Sequence, residues 1–525
     1  MRLPGLVGPS YAVASPNAEC QHSVNLYLEI DELGTAPGGE RGRLTTVPGL
    51  KPLDTIGTKP IRGLWTTANG VLWIASGNKL YKKASLSATP IEIGTLMSSS
   101  GPVNMDDNTT QLCIVDGPRG YMVNLVTDAG VIPPTVADTF TQIPPANVLT
   151  GKGFQGSKRV AFLDSYMIFV KPDSGELYWS ALGDATDIDG LDFSTAEGSP
   201  DNAVGHIVFN REVWVGGTKT MEVFYDSGNG FARRDAAYQE IGLASAESLQ
   251  KVANSLVWLG DGPNGKGIVW QSVGYQPQRI SDHGLEYALS TYGDLSGATA
   301  WTHIHEGHPF YCLNIPGAPV TWCYDMSTKK WCERAEYSDG ILSRHRVENS
   351  AFAFGKTIVG DAFTGKLYTL DPDWPYFGAD PIHCERVPPR QVNGMRRTTY
   401  HSLQLDMETG NVDDPPFVFE FSVDDIVAPV YSYTERPLSG HVNANDASVT
   451  VSAYSSVYGN YLAGIIPGAQ LVATVNQNGS WEVVNGQYLY AYVWTALPHG
   501  SDITLTLTAT RGTLTKTIYK NVTLL

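Results

Sequence analysis

Charge is scarce in this sequence. Asp, Glu, Lys and Arg make up 17% of 525 residues, and 53 acidic residues against 36 basic ones leave a formal charge of −17. Such a chain is ill suited to gripping DNA, because affinity for a phosphate backbone comes mainly from Lys and Arg displacing counterions. Long apolar runs are also missing: nothing approaches the roughly twenty apolar residues of a membrane helix. The N-terminus, MRLPGLVGPSYAVAS, has one Arg and no uninterrupted apolar segment of signal-peptide length. A protein made and kept in a cytoplasm is the expectation. The six cysteines, Cys20, Cys113, Cys312, Cys323, Cys332 and Cys384, form no CxxC pair and no metal-type spacing, so reduced thiols are expected. Cys312 and Cys323 flank one hairpin and could face each other, but a disulfide there would require an oxidising compartment.

Catalytic groupings are equally hard to find. There is no GxSxG elbow, and no Cys stands in a recognisable nucleophile context. Gly260–Lys266, GDGPNGK, matches GxxxxGK, but Gly267 replaces the Ser or Thr that holds magnesium. A strand-like GIVWQSV also follows where a phosphate-binding helix should start, so a hairpin turn is favoured. His303, His305 and His308, with Glu306 beside them, invite a metal reading, since alternate strand residues share a face. No distant fourth ligand suggests itself, and Gly307 and Pro309 mark a strand end. Asp184, Asp187, Asp189 and Asp192 lack EF-hand spacing and read as a solvated acidic loop. Asp413, Asp414, Asp424 and Asp425 form a second acidic group, and FSVDDIVAP carries only the opening of a sialidase-type SxDxGxxW loop. Lys82 with Lys83, and Arg396 with Arg397, read as solvated basic pairs. No catalytic, cofactor-binding or metal residue is therefore assigned.

What the chain does contain is turns and flat side chains: 54 Gly, 32 Pro and 10% aromatics. That composition favours β structure over helix. Few charges also fit surfaces covered by other subunits, because interface cores are depleted in Lys, Glu and Asp. The acid excess sits in the first four-fifths. From Val427 onward, Glu435, Asp446, Glu482 and Asp502 are offset by Arg436, Arg511, Lys516 and Lys520. An acidic wall would repel DNA and let it slide; the plainer reading is a surface kept soluble by net charge.

One pattern returns seven times: apolar strand, Gly-containing turn, apolar or aromatic strand. It reads VLWIASGNKLYKK from Val71, LCIVDGPRGYMVNL from Leu112, YMIFVKPDSGELYWS from Tyr166 and VWVGGTKTMEVFY from Val213. VWLGDGPNGKGIVW from Val257, FYCLNIPGAPVTWCYD from Phe310 and TIVGDAFTGKLYTLD from Thr357 complete the series. The spacing, about 40 to 55 residues, is close to the length of a four-stranded propeller blade. Each unit supplies two strands of a blade, and blades that bury little alone must pack around an axis. An all-β chain follows, with a β-propeller of six to eight blades over 61–375, after an N-terminal arm and first strands over 1–60. Val126 to Gly156, with IPP twice, reads as a long loop able to reach a neighbour. A Pro-rich exit near Pro375 leads to a small β-sheet platform over 376–427. Residues 428–525, rich in Val, Thr, Ser and Tyr with strong alternation, fit an immunoglobulin-like β-sandwich, and a jelly roll would show the same pattern.

Particular strings resemble the packaged-DNA stabilisation proteins of short-tailed bacteriophages, also called tail hub or nozzle proteins. GPSYAVASPNAECQHSVNLYLEID places Asn25, Tyr27 and Glu29 on the family's NxYxE signature, and TVPGL is similar to its TPGL. WSALGDATDIDGLDFSTAEGSPDN, REVWVGGTKTMEVFYDSG, GYQPQRISDHGLE and EGHPFYCLNIPGAPVTWCYDMSTKKWCERA resemble later segments in order, so the likeness covers most of residues 9 to 415. The family's tail sheet closes with a Ser-x-Asp-Gly-Gly-type loop that this chain lacks. The resemblance implies a structural virion subunit and no catalytic residues. It implies a homohexameric ring below the head-to-tail adaptor, extending the DNA ejection channel and retaining packaged DNA. Tailspikes or fibres and a needle or plug are the implied neighbours, with non-specific passage of double-stranded DNA. A carbohydrate-binding, lectin-like propeller is the alternative, and it calls for exposed Trp and Tyr at blade tips.

Overall fold

The computed structural model describes residues 5–13, 20–30, 42–125 and 138–389, apart from 197 and 229, with their side chains; beyond 416 it describes strand backbones. The chain divides into two compact units, Met1–Thr398 and Thr399–Leu525.

In the first unit the seven repeats are the two middle strands of seven four-stranded antiparallel blades. The innermost strands, in order, are Ile61–Thr66, Asn104–Asp107, Val160–Leu163, Ala203–Phe209, Gln250–Val252, Thr299–His305 and Val347–Ala353. Each touches the next, with the short helical turn Ala246–Ser248 bridging the fourth and fifth, and the seventh returns to the first. The ring is thus closed. Second strands such as Leu72–Ser76 are buried along their whole length. They read as apolar runs rather than alternations because a neighbouring blade covers each face of the sheet. Trp73, Trp214, Trp258, Trp301 and Trp322 are fully or almost fully buried in the layers between blades.

Blade seven takes its outer strand from the other end of the chain. Gly49–Thr55 pairs antiparallel with Lys366–Asp371, Leu50 opposite Leu370 and Lys366 opposite Thr55. The TVPGL motif begins this strand: a Cβ on Gly49 would overlap the carbonyl oxygen of Trp374, so only glycine admits the chain there. Lys51 pairs with Asp371 at 3.2 Å. Lys83, 1% exposed, reaches from blade one to Asp54 of the closing strand at 2.7 Å. The Lys82–Lys83 pair is therefore not a solvated surface, since Lys82 is bound to Asp138.

One local expectation is corrected, and one helix stands among the strands. Thr139–Gln142, inside the stretch read as a loop, is the outer strand of blade two and pairs with Gly120–Asn124. Its four residues are too few, and too polar, for alternation to show in sequence. A nine-residue helix, His283–Thr291, packs Leu285, Ala288 and Leu289 against blades five and six. Asp282 caps it, accepting a hydrogen bond from Leu285 N–H at 2.8 Å. The residues after blade seven stay with the propeller as far as they are described. Tyr376–Phe377 joins the closing strand, and Glu385–Val387 pairs with His22–Val24, which lies along the outer strand of blade six.

In the second unit Phe417–Phe421 pairs with Tyr431–Glu435. A six-stranded sheet runs in the order Leu471–Ala473, Ser480–Val483, Ala447–Ser455, Asp502–Arg511, Leu514–Thr523, with Gly459–Tyr461 also on Ala447–Ser455. Ala463–Ile466 pairs with Tyr490–Val493. Asp413, Asp414, Asp424, Asp425, Arg396 and Arg397 lie outside the described residues.

The seam between blades seven and one is tight: a Cβ on Gly360 would meet Ile61 Cγ2 at 2.5 Å and Ile61 Cβ at 2.7 Å. Gly360→Val is expected to destabilise the propeller by about 1–3 kcal/mol, as overpacked cores do. Urea unfolding of the variant beside the parent checks this, and an unmoved midpoint would place the seam elsewhere.

Candidate functional site

Residues from non-adjacent blades meet beside the innermost strands. Arg159, entering blade three, donates to the carbonyls of Ala246 and Leu249 at the start of blade five, at 2.6 and 2.7 Å. Asp106 of blade two senses Lys251 of blade five, while Glu247 senses Arg159, Lys158 and Glu348 of blade seven. Burial pushes the Asp106 carboxyl up to about 7, opposed by hydrogen bonds from the backbone N–H groups of Phe162 and Asp107 and by Lys251. Burial likewise raises Glu247 and lowers Lys251. None of these residues stood out in the sequence, because they come from four separate repeats.

The residues singled out by sequence are occupied with structure. Gly260–Lys266 turns between the antiparallel strands Ser255–Asp261 and Val269–Val273, and no helix follows the lysine. His303 and His305 are buried on the inner strand of blade six. Arg334 donates to His303 Nε2 at 2.9 Å, and burial first, then Arg334, pushes the His303 imidazole far below its ordinary range. His308 faces Asp325 at 2.8 Å. Among the described residues no three His, Cys, Asp or Glu side chains converge as a metal site. Asp184 is spent on Thr186, and Asp189 on the N–H of Leu191. The hydrogen bond from the Thr186 hydroxyl holds the Asp184 carboxyl below the usual range. Cys312, Cys323 and Cys332 are cross-strand neighbours in successive strands, with the Sγ atoms of Cys312 and Cys323 2.7 Å apart; all six cysteines are free. The recess between the N-terminal arm and blade six, edged by Tyr27, Lys330 and Trp331, has no room for a water molecule.

The signature residues bind the arm to the propeller. Asn25, in a left-handed conformation (φ 56°), donates through Nδ2 to the carbonyls of Ala335 and His383 at 2.8 and 2.7 Å and accepts from Ala335 N–H. Asparagine tolerates that backbone geometry better than most residues. Tyr27 is buried against His305, His308 and Phe310, and its hydroxyl donates to Glu306 at 3.1 Å. Glu29 holds Arg43 on the next strand. Arg386, beyond blade seven, gathers the arm by donating to the carbonyls of Gly5, Leu6, Pro9 and His22. Burial lowers its pKa to about 10. Sequence gave no sign of that role, which joins positions more than 360 residues apart.

His22 adds a titratable link, its Nδ1 3.0 Å from Glu333. The hydrogen bond to Glu333 raises its pKa to about 9 from 6.5. A raised folded value means that the contribution is full below pH 6.5 and lost as pH rises through about 9. With the imidazole about one-third exposed, solvent screening limits the effect to about 1 kcal/mol. His22→Gln should therefore lower the thermal midpoint slightly at pH 6 and leave it unchanged at pH 10. Melting curves of both chains at the two pH values check this; a constant difference would contradict it.

Among solved structures, the extracellular domain of BT4673 from B. thetaiotaomicron is 12% identical, with a TM-score of 0.41 over 61% of this chain. The chain spans 40% of that domain. A chain of the Mitotic Checkpoint Complex matches at 10% identity and TM-score 0.37, over 65% of this chain and 96% of that one. The Cps50 (Swd1) β-propeller domain of Myceliophteria thermophila matches at 8% and 0.37, over 61% and 98%. No curated protein matches the sequence. A family model described as Bacteriophage P22 Gp10, β-propeller, matches residues 18–374, from the signature arm through blade seven, and the chain belongs to that phage β-propeller family.

Proposed function

We propose that this chain is a structural, non-enzymatic subunit of a short phage tail, forming a ring below the head-to-tail adaptor that extends the DNA ejection channel and retains the packaged genome. The observation that carries the reading is the family match over the whole propeller, closing strand included. In this reading DNA passes between copies of the chain arranged as a ring, with six copies as the proposed number. A net acidic subunit, at −17, suits a wall along which DNA slides. In this reading the subunits assemble in the host cytoplasm and reside in the virion tail. Tailspikes or fibres and a needle or plug are the neighbours. Residues 428–525 form an immunoglobulin-like sandwich at the outer face or distal rim, touching fibres or host.

The carbohydrate-binding alternative calls for exposed Trp and Tyr at blade tips. Of the ten tryptophans described with their side chains, seven are buried and three half-buried, while Tyr225, Tyr238, Tyr287 and Tyr337 are 37–45% exposed. Electron microscopy of virions labelled with antibody against the recombinant chain tests the proposal: label is expected at the tail vertex alone. Unlabelled particles, with the protein free in the lysate, would overturn it.

A further inference from the structure

Two turns beside blade three hold apolar side chains out in solvent. Val148 and Leu149 are 100% and 94% exposed, and Leu191 is 84% exposed. These are fixed turns. Asn147 Oδ1 accepts from the N–H groups of Leu149 and Thr150 at 2.9 and 3.3 Å, and Asn147 O accepts from Gly151 N–H at 2.8 Å. Asp189 Oδ1 accepts from Leu191 N–H at 3.0 Å. The turns are joined to each other: Gly153 N–H donates to Ile188 O at 3.0 Å, and Lys152 pairs with Asp187 at 3.3 Å. Gly190 lies so close to Thr150 that a Cβ there would overlap its carbonyl oxygen. Leu149 and Leu191 each lie one residue from that contact.

An apolar projection held this rigidly in water has no role within the described part of the fold, and exposed apolar groups of this kind mark interaction sites. Its turns are already ordered, so docking forfeits little conformational entropy. Its surroundings select the partner. Residues 144–156 and 181–193 carry Asp184, Asp187, Asp189 and Asp192 against Lys152 alone. A face carrying Lys and Arg is the complement of that rim. We propose that this acidic-rimmed apolar knob docks into an apolar hollow rimmed by Lys and Arg on a different structural protein of the particle. The inference rests on the tail reading for where the partner is found.

The test places a photocrosslinking residue at Val148 of the full chain, supplied in an infection lacking the wild-type copy, with crosslinks in purified particles mapped by mass spectrometry. Linkage to another virion protein, beside clustered Lys or Arg, is expected. Leu149→Asp with Leu191→Asp should cut that yield at least tenfold while the melting temperature stays unchanged, because these side chains bury almost nothing in the chain itself. Linkage to a second copy, linkage within the same chain, or a yield indifferent to the two substitutions would overturn the docking proposal. If the tail reading fails, the chain is absent from particles altogether, an outcome distinct from incorporation without the crosslink, and the partner proposal falls with it.

Discussion

Ring closure is the constraint on which the rest of this propeller depends. Blades one to six each complete four strands from continuous sequence, but blade seven has only three until Gly49–Thr55 arrives from more than 300 residues upstream. Without that strand, Lys366–Asp371 would be an open edge, and blade seven would lose the strand that carries Asp54 to Lys83 of blade one. Lys83–Asp54 and the Gly360–Ile61 contact tie the same seam from either side. Because each blade rests on two neighbours, losing one contact in the ring weakens all of it. Contacts of such sequence separation also make folding slow, since loop closure precedes the gain from pairing.

A second theme is the treatment of buried positive charge. Arg62 donates to the carbonyls of Gly77, Ser98, Ser100 and Gly101, Arg159 to those of Ala246 and Leu249, and Arg386 to those of the N-terminal arm. A guanidinium has five donors in a planar fork, and fixed backbone carbonyls satisfy them without requiring a buried carboxylate. Arg159 joins segments that no β-ladder connects, while Arg62 and Arg386 reach beyond the ladders of their own strands. They act as staples between a blade and the next connection, between non-adjacent blades, and between the two ends of the first unit. This helps explain how a chain with so few charged residues keeps irregular connections in place.

The repeats were legible because the middle strands of each blade are covered on both faces and appear as unbroken apolar runs around a Gly turn. The inner and outer strands were less so. Thr139–Gln142 and Gly49–Thr55 are short or polar, and one of them belongs to a blade 300 residues away, which no local pattern encodes. The helix at His283–Thr291 had a readable signal, Asp282 before Leu285, Ala288 and Leu289 at helical spacing, and it was hidden by the β-rich context. The histidines at 303, 305 and 308 looked like ligands because alternation places two of them on one face; the structure pairs one with a buried arginine and another with an aspartate. The signature residues Asn25 and Tyr27 were legible as a motif, but their role as fasteners between the arm and blade six depends on residues 279 to 358 positions away.

The central claim, that a strand from the N-terminal region closes the ring, is tested most directly by hydrogen exchange of the full chain read by mass spectrometry. Closure predicts that the amides of Gly49–Thr55 exchange only with those of Lys366–Asp371, at the rate of global unfolding. Fast exchange of 49–55 while blade seven stays protected would contradict it.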